Sequence, residues 1–184
     1  MYAFLLALGV VFLAELGDKS QLLARTLAAR RPAGQVLLGV SLAALLLQGL
    51  SAALGAALAS AVPSSAVMLL AGLGFLLAAI LALRRKDVAG PLTPARAGST
   101  VLLSFAALFV AELGDKTMLA TAALAARENP LLTWLGGTAG FVLADALAIA
   151  VGLTVFRRLP VRAMRLGTAA LLAVLGAVLL AGLL

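Results

Sequence analysis

Between a few short polar clusters this chain is almost continuously apolar. Six such stretches, at about 2–28, 34–59, 62–83, 99–126, 132–156 and 164–184, each reach or exceed the roughly 20 residues that carry a helix across a hydrocarbon core. The separating clusters are Arg30-Arg31-Pro32, Pro63-Ser64-Ser65, Arg84 to Gly98, Arg127 to Pro130 and Arg157 to Arg162, and each contains a proline, as helix boundaries commonly do. Of 184 residues 64% are hydrophobic and 11% charged, against about 45–50% apolar in soluble domains. With a mean hydropathy of +1.19, a soluble fold could not cover its own surface. A soluble enzyme and a disordered tail are excluded, and an all-α integral membrane protein of six transmembrane helices is expected. The first stretch lacks a basic start and a small-residue cleavage site, so it reads as a retained helix rather than a signal peptide.

The net charge of +7 is not a nucleic-acid footprint, because aromatic residues are few and do not alternate with basic ones. Its distribution follows topology instead. Eleven of the fourteen Lys and Arg fall in or beside the connections after the first, third and fifth stretches: Arg25, Arg30, Arg31; Arg84, Arg85, Lys86, Arg96; Arg157, Arg158, Arg162, Arg165. The opposite face holds Arg127 alone, and Lys19 and Lys116 lie within helices. The bias places the three basic connections in the cytoplasm and both termini on the non-cytoplasmic side. The chain has no Cys and no His, which leaves oxygen atoms and Met sulfur as the only metal ligands.

A shift of 97 positions superposes the two halves, laying Phe12-Leu13-Ala14-Glu15-Leu16-Gly17-Asp18-Lys19-Ser20 on Phe109-Val110-Ala111-Glu112-Leu113-Gly114-Asp115-Lys116-Thr117. Without a gap Gly39 then meets Gly136, Ser41 meets Thr138, Gln48 meets Asp145 and Gly55 meets Gly152. Residues 1–83 and 99–184 are therefore two three-helix repeats joined by a cytoplasmic linker, 84–98. Three spans is an odd number, so the second repeat enters the membrane from the side opposite to the first, the inverted arrangement of many secondary transporters. Each glutamate stands about 13 residues into its helix, roughly 20 Å along, so the motifs can meet near the middle of a core about 30 Å thick. The first and fourth helices are longer than one crossing requires, and tilt or a break at Gly17 and Gly114 takes up the excess.

Glu15 and Asp18 share one helical face at a spacing of three, as do Glu112 and Asp115. Each ionisable group in mid-membrane costs about 2.5–3.5 kcal/mol on insertion scales. Ion pairs Glu15–Lys19 and Glu112–Lys116 within each helix would offset part of that cost but leave the aspartates unexplained. Four acids against two lysines leave a formal charge of −2, which one divalent cation neutralises, or two protons. Carboxylates crowded away from water bind protons as well as metal, which is a physical basis for exchanging one for the other. An all-oxygen site suits Ca²⁺, Mg²⁺ or Mn²⁺, and loosened backbone at the two glycines would offer carbonyl oxygens. Ser20, Thr117 and the Gln21 amide lie within a turn of the acids, as further ligands or bonded back to their helices. Met118, the repeat mate of Gln21, is packing or a thioether ligand. Asp145, a fifth buried acid whose mate is the neutral Gln48, reads as a proton-transfer group or an outer metal shell. Gly72, Gly74, Gly136, Gly137 and Gly140 read as close helix contacts.

The doubled Glu-Leu-Gly-Asp-Lys-(Ser/Thr) motif on the first and fourth of six helices resembles that of the Gdt-type family of cation/proton exchangers. The resemblance covers nearly the whole chain in helix number, length and repeat layout. It implies a metal site of Glu15, Asp18, Glu112 and Asp115 supported by Lys19, Lys116, Ser20 and Thr117. It further implies export of Mn²⁺ or Ca²⁺ from the cytoplasm as protons enter, without a resident cofactor. With no N-terminal targeting extension visible a bacterial inner membrane is expected, and with no His, no Cys and no nucleophile beside a suitable base an enzyme is not. One position departs from the family pattern: the second motif continues with Met118 where Gln is usual. Two other readings compete. A six-helix exporter of small organic cations or basic amino acids would set Lys19 or Lys116 against the substrate carboxylate. A membrane assembly factor without transport activity would have no use for buried acids. Monomer and homodimer both fit the sequence.

Overall fold

A computed structural model of the chain describes residues 1–84, 98–156 and 161–182. Within them lie eight α-helices: α1 (Tyr2–Glu15), α2 (Lys19–Ala28), α3 (Ala33–Ala61), α4 (Ser64–Arg84), α5 (Thr100–Glu112), α6 (Lys116–Ala125), α7 (Pro130–Phe156) and α8 (Val161–Ala181). Two of the six expected helices are thus broken in two, and the breaks fall inside the two motifs. Four helices follow the expected spans to within a few residues. The linker, with Arg85, Lys86 and Arg96, and also Arg157 and Arg158, lies outside the described residues, apart from its two ends.

Sequence fixes the helix ends locally. Pro130 opens α7 without needing a donor, and the Asn129 side chain accepts the Leu132 N–H at 3.0 Å. Ser99 caps α5 by accepting the Leu102 N–H at 3.5 Å. Among the described residues three helical segments are long and apolar enough to cross a membrane unaided: Ala33–Ala61, Ser65–Leu83 and Pro130–Gly152. The outward surface carries Leu38, Leu42, Leu46, Leu70, Leu73, Leu77 and many similar side chains. A surface so apolar matches lipid rather than water. The chain is a multi-span membrane protein.

Packing repeats as the sequence does. α1 lies against α7, and its mate α5 lies against α3; α2 also meets α7, and α6 meets α3. The halves therefore interlock rather than sit side by side. Gly39 on α3 meets the Val101 carbonyl of α5, and Gly136 on α7 meets the Phe4 carbonyl of α1; all four positions obey the 97-residue shift. A Cβ at either glycine would collide with the partner's backbone, so the missing side chain sets the helix separation. Along α3, Gly39 meets α5 and Gly55 meets Ala122 of α6, whereas along α7, Gly136 meets Phe4 and Gly140 meets Leu8. Each long helix thus runs parallel to the broken helix of the other half. α4 and α8 run antiparallel, with Gly72 at Gly176 and Leu180, and Met68 at Gly182. Gly74 differs from the close-contact expectation, since nothing lies within 4 Å of where its Cβ would stand.

Candidate metal centre

The site is built on the two breaks. α1 ends at Glu15; Leu16 leaves helical geometry at φ −59, ψ 118, Gly17 follows at φ 76, and Asp18 at φ −83, ψ 174 starts α2. The second break is a near copy: Leu113 at φ −59, ψ 119, Gly114 at φ 72 and Asp115 at φ −79, ψ 174. Only glycine takes the left-handed step without a steric penalty. Asp18 Oδ1 accepts the Lys19 N–H at 2.7 Å and caps α2. Gln21 holds its break from both ends: Oε1 accepts the Gly17 N–H at 2.9 Å, and Nε2 donates to the Ala144 carbonyl of α7 at 2.8 Å. Met118 takes the equivalent place, its sulfur accepting the Gly114 N–H at 3.1 Å. Both side chains therefore brace the breaks.

Glu15 and Asp18 do not share a continuous helical face, because the helix stops between them; the turn brings both to one place instead. Oxygens of Glu15, Asp18 and Glu112 lie within 4.8 Å of one another, and both glutamates are fully buried. Each glutamate is the last residue of a half-helix. The negative ends of α1 and α5 therefore meet at the glutamates, while the positive ends of α2 and α6 start at Asp18 and Asp115 and favour their carboxylates. Ser20 Oγ donates to Glu15 Oε2 at 2.5 Å, whereas Glu15 Oε1 has no hydrogen-bond partner among the described residues. Neither Glu112 carboxylate oxygen has a hydrogen-bond partner.

The lysines do not form the expected pairs within their own helices, since a broken helix has no i, i+4 geometry across the break. They reach across the repeats. Lys116 Nζ pairs with Asp18; Lys19 Nζ stands 3.3 Å from Asp115 and 3.8 Å from Glu112. Lys116 is also 3.5 Å from its neighbour Asp115. Asp115 is thus buried against both lysines, beside the three-carboxylate cluster. The Lys19 side chain is 39% exposed and that of Lys116 only 9%, so the two nearly symmetric halves are not equally open.

Asp145 is fully buried on α7, neither oxygen hydrogen-bonded among the described residues. Arg25, read as lying in or beside a basic connection, stands in the last turn of α2, buried, its Nε donating to the Gln21 carbonyl at 2.9 Å. Gln48, the repeat mate of Asp145, is buried near Gly137 and Thr121, with its Oε1 unpartnered. Sequence reasoning missed Thr121 and Thr133, both fully buried with unpartnered hydroxyls. Their signal was present: they are hydroxyl-bearing where the repeat mates Ala24 and Val36 are apolar.

No solved structure matches the chain. A protein of Vibrio cholerae serotype O1 named "Putative manganese exporter" is 33% identical over 174 residues, 93% of this chain and 86% of its own length. "GDT1-like protein 4" of Oryza sativa subsp. indica is 27% identical over 176 residues, 82% of this chain and 63% of its own. "Protein PAM71, chloroplastic" of Arabidopsis thaliana is 45% identical over 56 residues, 30% of this chain and 15% of its own. The family model for "Divalent cation/proton antiporter GDT1" matches residues 3–89 and 100–183. With its doubled motif, broken helices and buried acidic cluster, the chain belongs to this GDT1 family of divalent cation/proton antiporters.

Proposed function

We propose that the protein exports a divalent cation from the cytoplasm in exchange for protons, Mn²⁺ in the first place and Ca²⁺ in the second. The observation that carries this reading is the convergence of Glu15, Asp18 and Glu112, from two halves of the chain, within 4.8 Å. Glu15, Asp18, Glu112 and Asp115 bind the ion. Lys19 and Lys116 balance the aspartates while the site is empty, Ser20 and Thr117 orient Glu15, and Gln21 brace the first break. Gln48 and Asp145 stand behind the ligands, with Asp145 taking the exchanged proton or an outer-shell water. A hard, all-oxygen donor set fits either ion. The name of the Vibrio cholerae relative and the family description support manganese and proton coupling.

The two halves cross the membrane as inverted repeats of three spans, each broken helix serving as one span. Supporting this, α5 begins beside the start of α3, whereas α1 begins beside the start of α7. α3 follows the end of α2 and α7 follows the end of α6, so the two broken helices enter from opposite faces. The basic connections mark the cytoplasmic face of a bacterial inner membrane. Uptake of radioactive Mn²⁺ and Ca²⁺ into proteoliposomes under an imposed pH gradient tests the reading. Metal accumulation that depends on the gradient and disappears in Glu15→Gln is expected; accumulation equal to that of empty liposomes overturns it.

A further inference from the structure

Burying a hydroxyl or amide oxygen without a partner is costly, about 1–3 kcal/mol each, and native interiors rarely leave one so. Ser104 on α5 and Thr138 on α7 each bury one such group, and several more cluster along one helix interface. Thr117 is buried in the first turn of α6, two residues after Asp115; Thr121 follows one turn along α6 on the same face. A Cβ at Gly137 of α7 would stand 3.1 Å from Thr121 Oγ1 and 3.6 Å from Gln48 Oε1, so the three positions surround one point. Thr133 lies one turn nearer the start of α7. Thr121 Oγ1, Gln48 Oε1 and Thr133 Oγ1 are all buried and unpartnered. By contrast Ser41 and Ser51 donate to the carbonyl one turn back, each at 2.8 Å. From Thr117 to the end of α6 is about 12 Å, so the row extends from the acids to the turn holding Arg127.

The repeat-related interface is built differently. Where one side has Thr121, Thr133 and Gly137, the other has Ala24, Val36 and Val40, packed with Leu23, Leu27 and Phe141 in an apolar cluster. Gln48 is replaced there by Asp145, a single buried carboxylate with neither oxygen hydrogen-bonded among the described residues. The polar row is thus not a product of the repeat but a departure from it.

We infer that the interface of α3, α6 and α7, marked by Thr121, Gln48 and Thr133, is the hydrated conduit joining the acidic cluster to the face that bears Arg127, while the apolar interface of α2, α3 and α7 is the sealed side. Its occupants are water and the partly hydrated cation, which the unpartnered oxygens solvate in passing. This rests on the transport reading for its purpose, but its test does not. The chain contains no cysteine, so single introduced cysteines report alone. Thr121→Cys and Thr133→Cys are compared with Ala24→Cys and Val36→Cys, using a membrane-impermeant thiosulfonate applied from each side of the membrane. Arg127→Cys, exposed at the turn between α6 and α7, marks the face. Modification of both threonine positions from the side that modifies Arg127→Cys, and not of their mates, is expected. No modification, equal modification of the mates, or modification from the other side overturns the inference. Independently, Thr121→Val lowers Mn²⁺ uptake about tenfold, the loss equivalent to one solvating contact, and Thr121→Ser restores it. Equal uptake by the two variants also overturns it. Should the wild type carry no metal, the labelling pattern still decides the conduit; should it carry metal without labelling, the conduit alone falls.

Discussion

Glu15 and Glu112 are sequence equivalents with different surroundings. Glu15 accepts the Ser20 hydroxyl, whereas both Glu112 oxygens lack hydrogen-bond partners among the described residues and face only the Lys19 ammonium, 3.8 Å away. Both glutamates offer oxygens to the ion at the centre of the cluster, so Glu112→Gln and Glu15→Gln are both expected to abolish metal uptake. The amide keeps the shape, and membrane abundance by immunoblot should match the wild type. The lysines should separate by burial. Lys116 is enclosed and pairs with Asp18; its loss leaves buried acids uncompensated, at a cost of about 3–5 kcal/mol. Lys116→Ala should therefore lower the melting temperature in detergent far more than Lys19→Ala, whose half-exposed ammonium is screened and whose loss weakens transport instead. The four acids were legible from their cost in a membrane. Their pairing was not, because periodicity assumes an unbroken helix, and the lysine partners depend on how two distant turns face each other.

The breaks themselves were readable only in part. A glycine inside an apolar helix allows a left-handed step but does not demand one; what adds to the signal is the aspartate after each glycine, a residue favoured at the start of a helix, although only Asp18 accepts a hydrogen bond from its half-helix, and Asp115 makes no such bond. At Gly114 nothing lies within 4 Å of an added Cβ, so Gly114→Ala should cost only the strain of φ 72, about 1–2 kcal/mol. The cost is read as a fall in melting temperature. Met118 gives a sharper test of the same element. If its sulfur matters as the acceptor for the Gly114 N–H, Met118→Gln, which copies Gln21, keeps uptake near wild type, whereas Met118→Leu leaves that N–H unsatisfied and reduces it. A thioether ligand to the ion would give another pattern: Met118→Gln would change the ratio of Mn²⁺ to Ca²⁺ uptake. Thus one position that reads from sequence as a departure from symmetry performs, in the fold, the task of its mate.

At the scale of the whole molecule the repeat does more than duplicate a motif. Because α1 packs on α7 and α5 on α3, neither half encloses its own broken helix, and the acidic cluster exists only where the halves interlock. The sequence register shows that two copies exist but not how they mesh, since a 97-residue shift is equally compatible with side-by-side halves. What records the meshing is a pair of glycines whose need is visible only once the partner backbone is placed. Gly39 and Gly136 each admit a carbonyl of the other half, from Val101 and Phe4. Gly39→Val and Gly136→Val should then destabilise the protein to a similar extent, by about 1–3 kcal/mol each, and weaken metal uptake although neither touches the acids. Gly74→Ala has no such neighbour and replaces glycine with a better helix former, so it should leave stability unchanged or raise it by up to about 1 kcal/mol. Melting temperatures of the three variants in one detergent separate the cases. Halves that merely sat side by side would make all three glycines alike, and interlocked halves make Gly74 the exception.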